Sequence, residues 1–254
     1  MIPIKRGPEI EQMRKAGETA ASILRELVAL VAPGRTTGEI DHAAARLMAE
    51  AGVKSAFHGY KKFPGHICIS LNEEVVHGIG GTRRIQYGDI VKMDVGIIRD
   101  GWIGDNATTV LVGIVSPEVE RLCTATEQIL NGAVQLVRAG RKLGDVSAFV
   151  EEEAIRNGYS VVREFVGHGV GRQLHEEPQV PNFGKRNTGP TLKPGMTLAI
   201  EPMINMGKPK VRVLQDKWTV VTSDGLPSAH FEHTVLVTEG APEVLTSPRK
   251  TLLK

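Results

Sequence analysis

The sequence predicts an α+β fold made of two related αβ halves. Three observations carry that reading: two helical stretches precede a run of strands, the same order returns later, and the two runs share residues in register. Ile10, Met13, Ala20, Leu24, Leu27, Val28 and Val31 keep helical spacing, and "APGR" ends that helix. "TTGEIDHAAARLMAEAG" (36–52) reads as a second helix, with Thr36 and Glu39 in capping-box spacing and Gly52 after its end. Strand-like segments run from Ile67 to about Val112. A third helix opens with Ser116 as N-cap and Pro117 at its first position, and continues through Val119, Leu122, Ile129 and Leu136. "GDVSAFVEEEAIRNG" (144–158) is the fourth, and strands follow up to "HTVLVT".

The repetition extends to individual residues. "LVALVAPGRTTGEIDHAAARLMAEAGV" (27–53) lies over "AVQLVRAGRKLGDVSAFVEEEAIRNGY" (133–159) at an offset of 106, so that Gly34 meets Gly140, Arg35 meets Arg141, Gly38 meets Gly144 and Gly52 meets Gly158. Near that offset "YGDIVKMDVG" lies over "PGMTLAIEPM", placing Asp94 on Glu201. "HGIGG" at 77 echoes "HGVGR" at 168, and "TTVLV" at 108 echoes "HTVLV" at 233. The boundary falls near residue 115, within what is expected to be one domain spanning 1–254.

With 254 residues and 41% hydrophobic composition, the chain can bury a large core. A formal net charge of +2 is too weak to argue for nucleic-acid binding. Two cysteines, Cys68 and Cys123, make no disulfide framework and suit a reducing compartment. No apolar run approaches the roughly 18–20 residues that cross a bilayer. The start "MIPIKRGPEIEQM" lacks a signal-peptide core. The expectation is a soluble cytoplasmic protein.

Each half places a histidine, a carboxylate in an apolar strand, and a second carboxylate near a Thr-Val-Leu-Val strand. These are His77, Asp94 and Asp105, then His168, Glu201 and Glu232. A two-residue turn at Asp100-Gly101 would pair Arg99 with Trp102 and Gly96 with Asp105. Asp94 and Asp105 would then be diagonal neighbours on one face, with Cα atoms roughly 7–8 Å apart. An exposed polar face is the alternative, but the matching Glu201 stands in "LAIEPMI", which reads as buried. Buried carboxylates cost several kcal/mol unless compensated. Packing about a pseudo-two-fold axis would bring all four together. Four acids with His168 suit divalent Mn, Fe, Co or Zn, and two ions balance the charge better than one, with Asp105 and Glu232 as bridges. Water between such ions becomes a strong nucleophile, so hydrolysis is the natural reaction.

"GHGVGRQLHEEPQVP" supplies His168 and His175 from a glycine-rich loop or bulge. No nucleophile elbow, P-loop or dinucleotide fingerprint occurs. Cys68, in a half-buried strand, reads as packing rather than as a nucleophile.

The motifs "CISLNEEVVHGIG", "GDIVKMDVG", "DGWIGDNATT", "GHGVGRQLHEEPQVP", "MTLAIEPMI" and "FEHTVLVT" together resemble the type I methionine aminopeptidase family, of the short bacterial kind, along nearly the whole chain. The resemblance implies the pita-bread fold, two αβ halves around a central antiparallel sheet, and removal of the initiator methionine from new chains. It implies metal ligation by Asp94, Asp105, His168, Glu201 and Glu232, with Glu201 also relaying a proton. His77 and His175 would contact the substrate amide and stabilise the tetrahedral intermediate. The methionine pocket would draw on Tyr60, Cys68, Trp218 and Phe57, and a monovalent cation would sit at Asn72 and Ser228. Two divalent ions among Co, Mn, Fe and Zn, a monomeric state and transient ribosome association also follow. Leu174 and His230 depart from the family pattern, where phenylalanine and glutamine are frequent, and "KKFPGH" is slightly long. An enzyme cleaving before proline shares the ligands but usually carries a further N-terminal domain. An inactive binding protein on this scaffold would be expected to lose ligands, and this sequence keeps all five.

Overall fold

The computed structural model describes residues 1–247. In chain order the first elements are α1 (Pro8–Val28), α2 (Thr37–Glu50), β1 (Lys54–Ser55), β2 (Cys68–Leu71), β3 (Glu74–Val76), β4 (Ile90–Arg99) and β5 (Trp102–Leu111). Then come α3 (Pro117–Gln135), α4 (Leu143–Arg156), β6 (Ser160–Val161), β7 (Gly167–Gly169), β8 (Glu176–Val180), β9 (Thr197–Ile200) and β10 (Met203–Asn205). The last are β11 (Val211–Val213), β12 (Val220–Thr222), β13 (Ser228–His230), β14 (His233–Leu236) and β15 (Glu243–Val244).

The helix ends follow the local chemistry. Glu39 N donates to Thr36 Oγ1 at 3.2 Å and Thr36 N donates to the Glu39 carboxylate at 2.6 Å, the reciprocal box that opens α2. Ser116 Oγ accepts from Val119 N at 3.4 Å, with Pro117 at the start of α3. α1 stops at Val28 although apolar periodicity runs on to Val31. Beyond Val28 the backbone tightens, with Leu30 N bonding Leu27 O and Val31 N bonding Val28 O.

The residues matched between the two runs take matching conformations. Gly34 and Gly140 have φ of 87° and 84°, and Gly52 and Gly158 have 67° and 83°, values open to glycine at no steric cost. Gly34 N donates to Ile85 O and Gly140 N to Leu192 O; in return Ile85 N donates to Arg35 O and Leu192 N to Arg141 O.

Among the described residues every strand pairing is antiparallel, and the strands divide among four hydrogen-bonded sheets. β4 pairs along its length with β5 and, on its other edge, with β1 and β2. The order β15-β14-β9-β7-β8 makes a five-stranded sheet. β3 of the first run pairs with β12 of the second, and an isolated bridge joins Ala107 of β5 to Glu232. One apolar core lies between α1, α2 and the β4–β5 hairpin, and another among α3, α4, β9, β10 and β14. Among the described residues no helix is long and apolar enough to cross a membrane.

α1 lies so close to β5 that a Cβ at Gly104 would stand 2.2 Å from the Ala16 carbonyl oxygen, which is backbone and cannot swing aside. Gly104→Ala is therefore expected to destabilise the protein by roughly 1–3 kcal/mol. The readout is a lower urea midpoint at unchanged slope.

Candidate metal centre

The hairpin forms at Asp100-Gly101, whose φ values of 51° and 75° are those of a primed turn. Arg99 pairs with Trp102 and Gly96 with Asp105. Asp94 stands opposite Ala107 on β5 and Cys68 on β2, so it shares a face with Asp105. His168 comes from β7, where the ladder to β8 slips between His168 and Gly169. A Cβ at Gly169 would lie 2.3 Å from Glu177 O, so glycine is what lets the strands close beside the histidine. Glu201 stands one residue beyond β9 rather than within a strand, because Pro202 has no N–H to continue the ladder. Glu232 immediately precedes β14. Its backbone exchanges hydrogen bonds with Ala107 at 2.9 and 3.4 Å, while Thr234 Oγ1 donates to Asp105 O at 2.8 Å.

These elements gather the side chains around one cavity of about 240 Å³. Asp94, Asp105, His168, Glu201 and Glu232 form its floor, with His77 and His175 beside them. One ligand atom each from Asp105, His168 and Glu232 lies within 4.8 Å of the others. His168 Nε2 is 3.5 Å from Glu201 Oε1 and 3.8 Å from Asp105 Oδ2. Its Nδ1 donates to Gly169 O at 2.9 Å, which turns the Nε2 lone pair toward the carboxylates.

The floor is charged in a way the protein does not itself compensate. Asp94 Oδ1, Asp105 Oδ1 and Glu232 Oε1 are buried without any hydrogen-bond partner. Burial pushes Asp105 up to about 7. It raises Asp94 well above the usual carboxylate range, helped by the charge of Asp105. Burial, then Asp94 and Asp105, does the same to Glu201; burial, then Asp105, Glu201 and Asp94, does it to Glu232. The histidines do not offset this, because burial holds His77 and His168 down to about 4, each pressed further by His175. Unpaired buried oxygens beside a neutral imidazole are a donor set that fits divalent cations.

The wall is apolar. Phe57, Tyr60, Cys68 and Trp218 line it, joined by Phe63, Phe165, Leu174 and Met203. Phe57 packs on bare backbone: a Cβ at Gly96 would sit 2.4 Å from its ring. Cys68 is buried rather than half-buried, and burial followed by the Asp94 charge pushes its thiol well up, against a thiolate nucleophile. Tyr60 Oη bonds His175 Nδ1 at 2.8 Å, and the His175 ring lies 4.4 Å from that of His168. His77 holds φ 60°, a left-handed conformation that costs energy in a residue with a Cβ. Its ring meets Phe165 edge-on at 5.4 Å.

Asn72 and Ser228 do not line this cavity. Their carbonyl oxygens accept from Lys92 Nζ at 2.7 and 2.9 Å. No sequence motif gives Lys92 a role, although a lysine two residues before Asp94 on the same strand face is a visible irregularity. His230, noted only as a departure, is fully buried with Nε2 3.6 Å from Glu201 Oε2.

Residues 11–239 match metallopeptidase family M24. The chain belongs to this family. The M24 chain is 45% identical to methionine aminopeptidase 1 of Bacillus subtilis over 97% of its own length and 99% of the relative's. It superposes on the crystal structure of methionine aminopeptidase from Thermotoga maritima with a TM-score of 0.96 at 44% identity, covering 97% of this chain and 100% of that one. The prolidase of Pyrococcus horikoshii shares the fold alone, with a TM-score of 0.76 at 22% identity over 98% of this chain and 65% of that one. The architecture is the pita-bread fold, and the M24 chain is a metallo-aminopeptidase, a hydrolase that works with divalent metal ions.

Without metal, the charge on Asp105 opposes folding. Its folded pKa of about 7 lies above the unfolded value, so its stabilising contribution is complete below about pH 4 and is lost as pH rises through 7. Metal-free Asp105→Asn is thus expected to melt above the metal-free parent at pH 8, with the gap closing by pH 4. Calorimetric scans after chelation check this; adding divalent metal should reverse the order at pH 8.

Proposed function

We propose that this M24 chain is a methionine aminopeptidase that uses two divalent ions to remove the initiator methionine from new polypeptides whose second residue is small. The observation that carries the reading is one cavity in which the acidic floor faces a wall of sulfur and aromatic groups, Cys68, Met203, Phe57, Phe63 and Trp218. Such surfaces are favourable neighbours for a thioether. The similarity to B. subtilis methionine aminopeptidase 1 over nearly the full length of both chains supports the same reading.

In this reading Asp94, Asp105, His168, Glu201 and Glu232 would hold the ions. Divalent ions held there would supply the chemistry of a water of lowered pKa and of a polarised carbonyl. Glu201 carries a proton on its carboxylate toward the departing amine. His175 is oriented by the Tyr60 hydroxyl on Nδ1, which leaves Nε2 to donate to the substrate oxygen as charge builds there. His77, kept neutral by burial, is a second donor lining the same cavity. Leu174 lines the wall of the cavity.

The reading extends to a single catalytic unit over residues 1–254, monomeric and cytoplasmic, meeting its substrates as they leave the ribosome. Cellular supply selects the ions from Co, Mn, Fe and Zn.

Metal-loaded protein is expected to release methionine from Met-Ala-Xaa peptides and to leave Xaa-Pro peptides intact; preferential cleavage before proline would move the chain to another M24 activity. Glu201→Gln should lower turnover at least ~10³-fold with an unchanged circular dichroism spectrum. Turnover near the parent's would remove Glu201 from the mechanism.

A further inference from the structure

Lys92 is among the largest fully buried side chains, and it lies on β4 on the face that also carries Asp94. A lysine so placed ordinarily has a carboxylate for company. Here both hydrogen bonds of Nζ go to backbone carbonyls, Asn72 O at 2.7 Å and Ser228 O at 2.9 Å. A cation held by inward-turned carbonyls is the arrangement by which proteins hold a bare monovalent metal ion.

The two carbonyls are fixed by bonds that owe nothing to the lysine. Asn72 has φ 49°, its Oδ1 accepts from Ile90 N at 3.0 Å, and its Nδ2 donates to Asp89 Oδ1 at 2.9 Å. Its carbonyl also accepts from Ser228 N at 3.0 Å. Ser228 is set in β13 opposite Asn205, with Oγ donating to Ile204 O at 3.1 Å. One carbonyl belongs to the first run of the chain and the other to the second, so Nζ ties them together.

That tie lies directly behind the candidate metal centre. Two residues beyond Lys92 is Asp94; two beyond Ser228 is His230, which faces Glu201. Thr109, the cross-strand partner of Lys92, completes the clamp: its Oγ1 donates to His230 O at 2.6 Å and accepts from His230 N at 3.1 Å.

We propose that the Lys92 side chain is a tethered cation filling a carbonyl-lined monovalent-ion site between the two halves, so that this protein keeps its metal floor in register without sodium or potassium. Lys92 is a positioning residue in this scheme and touches no substrate. Burial pulls the Lys92 amine down to about 7, and it keeps N–H groups for both carbonyls in either protonation state; tethered by covalent bonds, it cannot be diluted away, so both carbonyls stay paired at any salt composition. A purely space-filling lysine would make a different prediction, since an apolar side chain of similar length would then serve equally well.

The test compares sodium, potassium and tetramethylammonium chlorides at equal ionic strength, the last being too large for two carbonyls and lacking an N–H. The readouts are the melting temperature of the metal-free protein and its manganese affinity by titration calorimetry, neither of which requires turnover. The parent is expected to give the same values in all three salts, within about twofold in affinity. Lys92→Ala should melt several degrees lower in tetramethylammonium and regain stability and manganese affinity in sodium or potassium. A parent that gains stability or affinity in sodium or potassium overturns the proposal. So does Lys92→Ala that behaves alike in all three salts, or Lys92→Met that matches the parent in both readouts. Should Lys92→Ala fail to fold in every salt, crystals of the parent grown in rubidium chloride decide. Rubidium between Asn72 O and Ser228 O refutes the tethered cation, and Nζ alone between them upholds it.

Discussion

Four carboxylates meet in a space that water barely reaches, and the surrounding architecture has to hold them against their own repulsion. Each such group costs several kcal/mol to bury charged, and three of them leave an oxygen with no hydrogen-bond partner at all. Nothing in the floor therefore helps it stay assembled without a cation. The cohesion comes from backbone just behind it: the Ala107–Glu232 bridge, the Thr234 hydroxyl on Asp105 O, and the Thr109 hydroxyl on His230. All three cross from the first run of the chain to the second.

Because Asp94 and Asp105 come from one run and His168, Glu201 and Glu232 from the other, neither run contains a complete donor set. A cation bound among them is at once a ligand and a fastener between the runs. Binding to the folded state alone adds stability in proportion to the logarithm of metal concentration. The left-handed backbone at His77 is held by edge contacts of its ring with Phe165 and Trp218.

Much of this was legible in the sequence because the decisive signals are local. Asp100-Gly101 fixes the β4–β5 register, and register fixes which face Asp94 and Asp105 share; Thr36 and Ser116 fix helix starts by their own hydroxyls. The matched glycines announce matched turns. What was not legible depends on contacts between distant segments. Phe63, Phe165 and Met203 reach the cavity only through tertiary packing, and no spacing rule links them to Cys68 or Trp218. The match to Asp94 predicts Glu201 within a strand, while Pro202 next door ends the strand. Lys92 was the missed clue: period-two reading puts it on the buried face, and a lysine there demanded a partner that only the folded chain reveals as Asn72 O and Ser228 O.

The histidines decide what kind of positive charge the floor can accept. Had His77 and His168 been solvated, they would titrate near neutrality and could pair with the acids as imidazolium ions. Burial instead holds both down to about 4, so at neutral pH they stay uncharged lone-pair donors. The remaining candidates are protons and metal ions. Asp105 takes up a proton only below about pH 7, and burial raises Asp94, Glu201 and Glu232 as well. Above that, a divalent ion is the species that can relieve several carboxylates at once, and it competes with fewer protons as pH rises. The separations of His168 Nε2 from Asp105 Oδ2 and Glu201 Oε1, 3.8 and 3.5 Å, exceed good hydrogen bonds. The side chains thus converge without bonding one another, as expected of groups arranged for a shared third partner.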